Sequence, residues 1–371
     1  MEKRYFHIDF LKAIAITMVC SYHFQILHDQ SNISLLNTAG YVRRFVFNTN
    51  VSCVSLFFMT SGAVLLNKPF DMAKHAKRLY RIIFQFIAWY LITTIFMILF
   101  GVVNITDYNI TDFINHLFLS ELPGIPYGHY WFIFTLIGIY LLLPFFYNSF
   151  ADNGDKYKAI KILMLFLFIC IFLSNEINTL IKVINVNVST DNITKFIPFT
   201  NLNAIMIFFF ILGGYIHKQY HKLKNIPIAY LVIVYLSGLL LLFIKFYIES
   251  SKIGSYDPIW SGYGSIGNLL MSASLFILVM RIDTFYEKIS TSNSHSFIKL
   301  VFNVIQMVGM NTLAIFYIHE IIGTIVMPYV YSIAPYCGIT INFAKAIIMV
   351  VLFSLIGEII KKIPLLNKIL T

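Results

Sequence analysis

Residues 82–103 read IIFQFIAWYLITTIFMILFGVV, an apolar stretch without a single Asp, Glu, Lys or Arg. An α-helix needs about 17 to 25 such residues to cross the roughly 30 Å hydrocarbon core of a bilayer, so this stretch alone is long enough to span one. Comparable stretches lie at 8–27, 45–66, 130–150, 158–175, 198–216, 226–248, 263–281, 306–327 and 341–360. With 82–103 they predict about ten transmembrane helices joined by short polar connections. The composition agrees: 58% of the 371 residues are hydrophobic and 12% are charged, with a mean hydropathy of +0.77. A soluble domain carries about 25% charged residues. The fold class expected is all-α, a polytopic integral membrane bundle in contact with lipid.

A formal charge of +10 would also suit a nucleic-acid binder, and the positions of the basic residues decide between the two readings. With the N-terminus in the cytoplasm, the inner segments hold Lys3, Arg4, Lys68, Lys74, Lys77, Arg78, Arg81, Lys156, Lys158 and Lys161. Further along they hold Lys218, Lys222, Lys224, Arg281, Lys288, Lys299, Lys361, Lys362 and Lys368. The outer segments hold only Arg43, Arg44, Lys182, Lys195 and Lys252. Basic residues collect in cytoplasmic loops, so both termini are expected inside and the excess charge requires no nucleic acid. The opening Met1-Glu2-Lys3-Arg4 lacks a small-x-small cleavage site downstream and reads as the start of a retained first helix.

The four cysteines, Cys20, Cys53, Cys170 and Cys337, are scattered singly without a Cys-x-x-Cys pair and read as packing residues. No loop is long enough for a soluble domain, although 178–201 forms an Asn- and Thr-rich external connection. One membrane domain over 1–371 is expected, with no extracytoplasmic soluble domain, and the chemistry must occur within the bundle.

An ionisable group inside a membrane helix costs about 2.5–3.5 kcal/mol at the centre, so each such group is a functional candidate. The first helix carries Asp9, Lys12 and His23. Asp9 and Lys12 are one turn apart and suit either an i,i+3 pair with a snorkelling lysine or a functional pair. His23 lies 11 positions beyond Lys12, almost three whole turns and about 16 Å further along, on the same face. Histidine titrates near neutral pH and suits proton transfer.

Ser61-Gly62-Ala63 ends the second span with small residues that let a neighbouring backbone approach. Arg78 and Arg81, at i,i+3 on the cytoplasmic start of the third helix, suit either phosphate binding or simple positive-inside topology. His129-Tyr130-Trp131 opens the fourth helix on the outer side, as an interfacial aromatic belt or a platform for a sugar ring. His319 and Glu320 fall inside the ninth span, although adjacent residues point to different sides of a helix. His217 and His221 have i,i+4 metal-ligand spacing, but Lys218, Lys222 and Lys224 surround them, and no metal site is expected.

His7-Ile8-Asp9-Phe10-Leu11-Lys12 with His23, the Phe57 to Gly62 segment, Arg78-x-x-Arg81, His129-Tyr130-Trp131-Phe132 and Gly309 to His319 resemble, in order and spacing, the acyltransferase family 3 membrane proteins. The resemblance implies a multi-pass enzyme of the cell membrane. Such an enzyme transfers an acyl group, usually acetyl, from cytoplasmic acyl-CoA to a hydroxyl of an envelope polysaccharide or a lipid-linked glycan precursor. Acyl-CoA, with acetyl-CoA foremost, would be a co-substrate, and no tightly bound cofactor is implied.

On this resemblance His23 is the catalytic residue, as general base or as an acyl-imidazole relay. Lys12, Arg78 and Arg81 hold the donor, and Asp9, Ser61, His129, Tyr130, Trp131, His319 and Glu320 support the site or bind the acceptor. The family commonly has arginine where this chain has Lys12, which keeps the positive charge and loses the planar fork. Two other functions use similar sequence features: a glycan exporter or flippase, which needs no catalytic histidine, and a non-catalytic membrane sensor or assembly factor.

Overall fold

The computed structural model of the chain describes residues 5–29, 48–102, 104, 109, 111, 128–151, 154–184, 196–197, 201–253, 262–291, 296–333, 339–364 and 366–367. About 90% of the structure is helical, and none of the described residues forms a strand. In chain order the helices are α1 (Phe6–Asp29), α2 (Ser52–Leu65), α3 (Met72–Leu99) and α4 (Trp131–Ala151). Next comes α5, built from Asp155–Leu167, a widened turn at Phe168–Leu173 and Ser174–Ile184. The rest are α6 (Asn201–Lys218), α7 (Tyr220–Leu223), α8 (Ile228–Ile253), α9 (Ile266–Val279), α10 (Ile282–Thr291), α11 (Ser296–Met310), α12 (Thr312–Ile333) and α13 (Ile339–Lys361). Lys3, Arg4, Arg43, Arg44, Lys195 and Cys337 lie outside the described residues.

Among the described residues, five helices are long and apolar enough to cross a membrane: Met72–Leu99, Gly128–Ala151, Asp155–Ile181, Ile228–Glu249 and Ile266–Thr291. A sixth is obtained if Ser296–Met310 and the following Thr312–Ile325 count as one broken span. In the apolar windows of the five, only 33–44% of residues are buried inside the protein. Leu99, Phe145, Ile233 and Leu300 are among the large apolar side chains left exposed. Water would penalise such surface, whereas lipid accepts it.

Several boundaries differ from the hydropathy pattern because polar side chains set them. α3 starts at Met72, well before residue 82, because Asp71 caps it and accepts the Lys74 N–H at 3.0 Å. That backbone N–H holds the Asp71 carboxyl below the usual carboxylate range. The span expected over 306–327 is interrupted at Asn311. The Asn311 carbonyl accepts from Ile315 N–H at 2.9 Å. Its side-chain amide donates to Ser354 Oγ at 3.1 Å and Glu358 Oε1 at 2.7 Å and so anchors the break to α13. α5 extends beyond the expected 158–175 in both directions and absorbs an i→i+5 turn at Phe168–Leu173.

The chain packs as two compact units, each assembled from separated segments. The first comprises Met1–Val19, Ser31–Phe70 and Leu143–Gly309, and the second Cys20–Gln30, Asp71–Leu142 and Met310–Thr371. In the first unit the backbones of α2 and α6 touch. A Cβ on Gly62 would fall on the Phe210 carbonyl, and one on Gly213 would meet the backbone of Met59. The small residues at the end of α2 therefore allow the close helix contact that their size suggests.

Asn268 on α9 joins that helix to α2. Its Oδ1 accepts from Ser52 Oγ at 3.1 Å, and its Nδ2 donates to Ser55 Oγ at 2.9 Å. At the start of α1, His7 Nδ1 donates to Asp283 Oδ2 at 2.6 Å, and the His7 backbone N–H donates to Asp283 Oδ1 at 2.7 Å. The Tyr220 hydroxyl donates to the same carboxylate at 3.3 Å. Burial, and then the Asp283 charge, push that hydroxyl above the usual tyrosine range.

In the second unit, the end of α1, α3, the start of α4, α12 and α13 supply the packing. Trp89 and Tyr90 of α3 are buried there with Tyr130 and Tyr317.

Adding a methyl group at Gly62 must separate α2 from α6, a strain of about 1–3 kcal/mol, whereas the Cβ position at Gly138 meets nothing within 4 Å. Gly62→Ala is expected to lower the thermal unfolding temperature in detergent by several degrees, and Gly138→Ala is not. Wild-type melting of Gly62→Ala would contradict the α2–α6 contact.

Candidate active site

The site lies in the second unit, at a buried carboxylate on α12. Glu320 is 7% exposed and its neighbour His319 is 0% exposed. Glu320 Oε1 lies 2.5 Å from His23 Nδ1 at the far end of α1, and 3.6 Å from His319 Nε2. A carboxylate accepts, so His23 carries its proton on Nδ1 and leaves the Nε2 lone pair available. The His23 side chain is 29% exposed, the only one of the three with substantial access from outside.

His319 Nδ1 lies 2.6 Å from the Phe316 carbonyl. A carbonyl only accepts, so in the neutral ring Nδ1 bears the hydrogen and Nε2 the lone pair. Sequence adjacency suggested that His319 and Glu320 would diverge. Consecutive residues are only about 100° apart around a helix, and both of these side chains reach the same locus.

His129 is buried in the turn Gly128–Tyr130 that opens α4. Its ring centroid is 5.6 Å from that of His319 and 5.1 Å from that of Phe316. Tyr130 follows, its hydroxyl 3.0 Å from Thr93 Oγ1 and its ring centroid 6.0 Å from that of Tyr317. Tyr317 stacks on Trp89 at 5.3 Å with only 4° between the planes. Trp131 is half-buried and meets Phe132, which in turn packs on Phe316. Three imidazoles, one carboxylate and a set of aromatic rings thus share one apolar interior.

Arg78 and Arg81 are exposed on the first turns of α3, as are Lys74 and Lys77. Arg78 hydrogen-bonds the side chain of Tyr140, whose ring stacks on His75 at 5.8 Å. Of the sequence candidates, His23, His129, Tyr130, His319 and Glu320 converge, and Trp131 adjoins them through Phe132. Asp9, Lys12 and Ser61 belong to the first unit, where Asp9 is buried and the other two are half-buried. The Asp9 backbone there lies against Gly309, where a side chain would clash with it.

Among the described residues, His23, His319 and Glu320 form the group whose potential ligand atoms come close enough to hold a metal ion. The i,i+4 pair of His217 and His221 is not part of it; His217 packs instead on Tyr5, His7 and Tyr220.

The sequence pattern did not single out Trp89, Thr93, Tyr317, His75 or Tyr140. Trp89 and Thr93 stand four apart on the uncharged stretch of α3, and His75 stands three before Arg78, spacings that put each pair on one face. Lys245 was also overlooked. It is a cation within the apolar run of α8, buried at 3% exposure, and the cost of such a charge was the available signal.

These features define a membrane protein with an acid–base cluster inside an apolar helical scaffold. Residues 5–359, nearly the whole chain, match the acyltransferase family 3 model described as "Acyltransferase domain", and the chain belongs to that family. It is an acyltransferase. No curated protein and no solved structure matches it.

The Phe316 contact fixes which nitrogen of His319 bears hydrogen. Solid-state ¹⁵N spectra of histidine-labelled protein, compared with those of His319→Gln, are expected to lose the signals of a neutral ring protonated at Nδ1. Loss of signals from an Nε2-protonated ring would contradict the assignment.

Proposed function

We propose that this chain is an integral O-acyltransferase of the cytoplasmic membrane. It moves an acyl group, acetyl foremost, from cytoplasmic acyl-CoA to a hydroxyl of an envelope polysaccharide or lipid-linked glycan precursor. The observation that carries the reading is the 2.5 Å contact between Glu320 Oε1 and His23 Nδ1. A hydroxyl is a poor nucleophile until a base takes its proton. Glu320 holds His23 in the tautomer that presents a basic Nε2 and stabilises the imidazolium formed when that proton is taken.

The acceptor oxygen attacks the thioester carbonyl, a C–O bond forms and the C–S bond breaks. The proton held on His23 then passes to the departing CoA sulfur. His23 needs no covalent acyl-imidazole in this sequence of steps. Trp131, half-buried next to the buried Tyr130, offers a flat apolar face suited to a sugar ring, and His129 a ring nitrogen for a hydroxyl.

Arg78 and Arg81 suit the CoA phosphates, for which guanidinium groups provide directed N–H donors. They precede Trp89 on α3 by 11 and 8 residues, about 12–16 Å along the helix, a distance that a pantetheine arm spans. Lys12 keeps a cation at the family's arginine position and is assigned to the donor side. Asp9 and Ser61 are assigned supporting roles.

Transfer of radiolabelled acetyl from acetyl-CoA, measured on protein in lipid nanodiscs with envelope glycan as acceptor, tests the assignment. His23→Gln is expected to reduce turnover by about 10²–10⁴-fold while CoA still binds. Arg78→Ala and Arg81→Ala are each expected to raise the donor KM about tenfold, as loss of a charge-assisted hydrogen bond would. Near-normal turnover by folded His23→Gln would overturn His23 as base.

A further inference from the structure

His319 Nε2 is fully buried and has no hydrogen-bond partner among the described residues. Because Nδ1–H is directed to the Phe316 carbonyl, Nε2 presents a lone pair, and Glu320 Oε1 faces it from 3.6 Å. Two acceptors held together away from water repel unless a cation stands between them. His23 Nδ1 approaches the same carboxylate oxygen to 2.5 Å, and the three potential ligand atoms all lie within 4.8 Å of one another.

Zn²⁺ binds imidazole nitrogen and carboxylate oxygen at about 2.0–2.2 Å in tetrahedral geometry, which separates neighbouring ligand atoms by about 3.3 Å. The separations here bracket that value, and His23, the least buried of the three, is the side chain that can adjust. Two imidazoles and a carboxylate form a Zn²⁺ ligand set with one position open. The backbone carbonyl that orients His319 is the support metal-bound histidines usually have.

We propose that His23, His319 and Glu320 bind Zn²⁺, and that Zn²⁺ bound there inhibits acyl transfer. The inhibitory half rests on the reading of His23 as base. Coordination through Nδ1 moves the ring's one proton to Nε2, so the atom that would accept the acceptor's proton already carries one. Zn²⁺ and base catalysis therefore exclude each other at the same residue.

Equilibrium dialysis of metal-stripped protein in nanodiscs against ⁶⁵Zn²⁺ tests the site directly. One Zn²⁺ per chain is expected. Binding should weaken at least about tenfold in His319→Asn and in Glu320→Gln and remain unchanged in His221→Ala, a control at the His217–His221 pair. Co²⁺ in the wild-type protein is expected to show the intense visible bands of a tetrahedral ion, a readout that needs no variant to fold. Absence of saturable Zn²⁺ binding, or undiminished binding in both site variants, would overturn the metal site even if His23→Gln abolishes transfer. Acyl transfer should fall with the same Zn²⁺ midpoint as binding and return with EDTA. Site-dependent binding with undisturbed transfer would overturn the inhibition, and with it His23 as base, while the metal site stands.

Discussion

A carboxylate buried among apolar helices is stable only with a partner, and Glu320 is such a carboxylate. Leaving a buried charge without its hydrogen-bond donor costs about 1–3 kcal/mol or more, so the position of His23 against Glu320 constrains the backbone as well as the chemistry. α12 must present Glu320 toward the end of α1. The helix start at Asn311 sets the register of α12 from its first turn, because the Asn311 amide is anchored to Ser354 and Glu358 of α13. His319 takes its orientation from the carbonyl one turn earlier in the same helix. A structural network thus fixes the tautomers on which a base, a relay or a metal ligand would depend.

The aromatic residues around this cluster perform a second task. Trp89, Tyr130 and Tyr317 fill the unit's interior with side chains whose polar atoms are few and directional. They keep water scarce around Glu320, which strengthens its interaction with His23. The positive end of α3 is different, exposed and rich in Lys and Arg. One helix therefore carries a cationic surface at its start and an aromatic wall further along.

Much of this was legible in the chain because membranes make polar residues conspicuous. His23, His129, His319 and Glu320 stand out from apolar runs, and the structure gathers them. The small residues of α2 foretold the close packing against α6. The helix boundaries were less legible, since hydropathy averages over windows while Asp71 and Asn311 act through single hydrogen bonds. The stacking of Trp89 on Tyr317 was hidden because an aromatic facing lipid and one facing a site look alike in sequence. Asp283 was hidden for another reason: its partner His7 lies 276 residues away, and no local spacing encodes that pair. A count of about ten spans rests on hydropathy, and five or six of those spans are seen as membrane-length apolar helices among the described residues.

Family membership establishes acyl transfer, and the Glu320–His23 pair is the means proposed for it. The most direct test is the kcat of Glu320→Gln, measured on folded protein at saturating donor and acceptor. Glutamine keeps the size of the side chain and removes the charge that stabilises the His23 imidazolium. The account predicts a fall in kcat of about 10²–10⁴-fold with the donor KM unchanged, and a wild-type kcat in Glu320→Gln would contradict it.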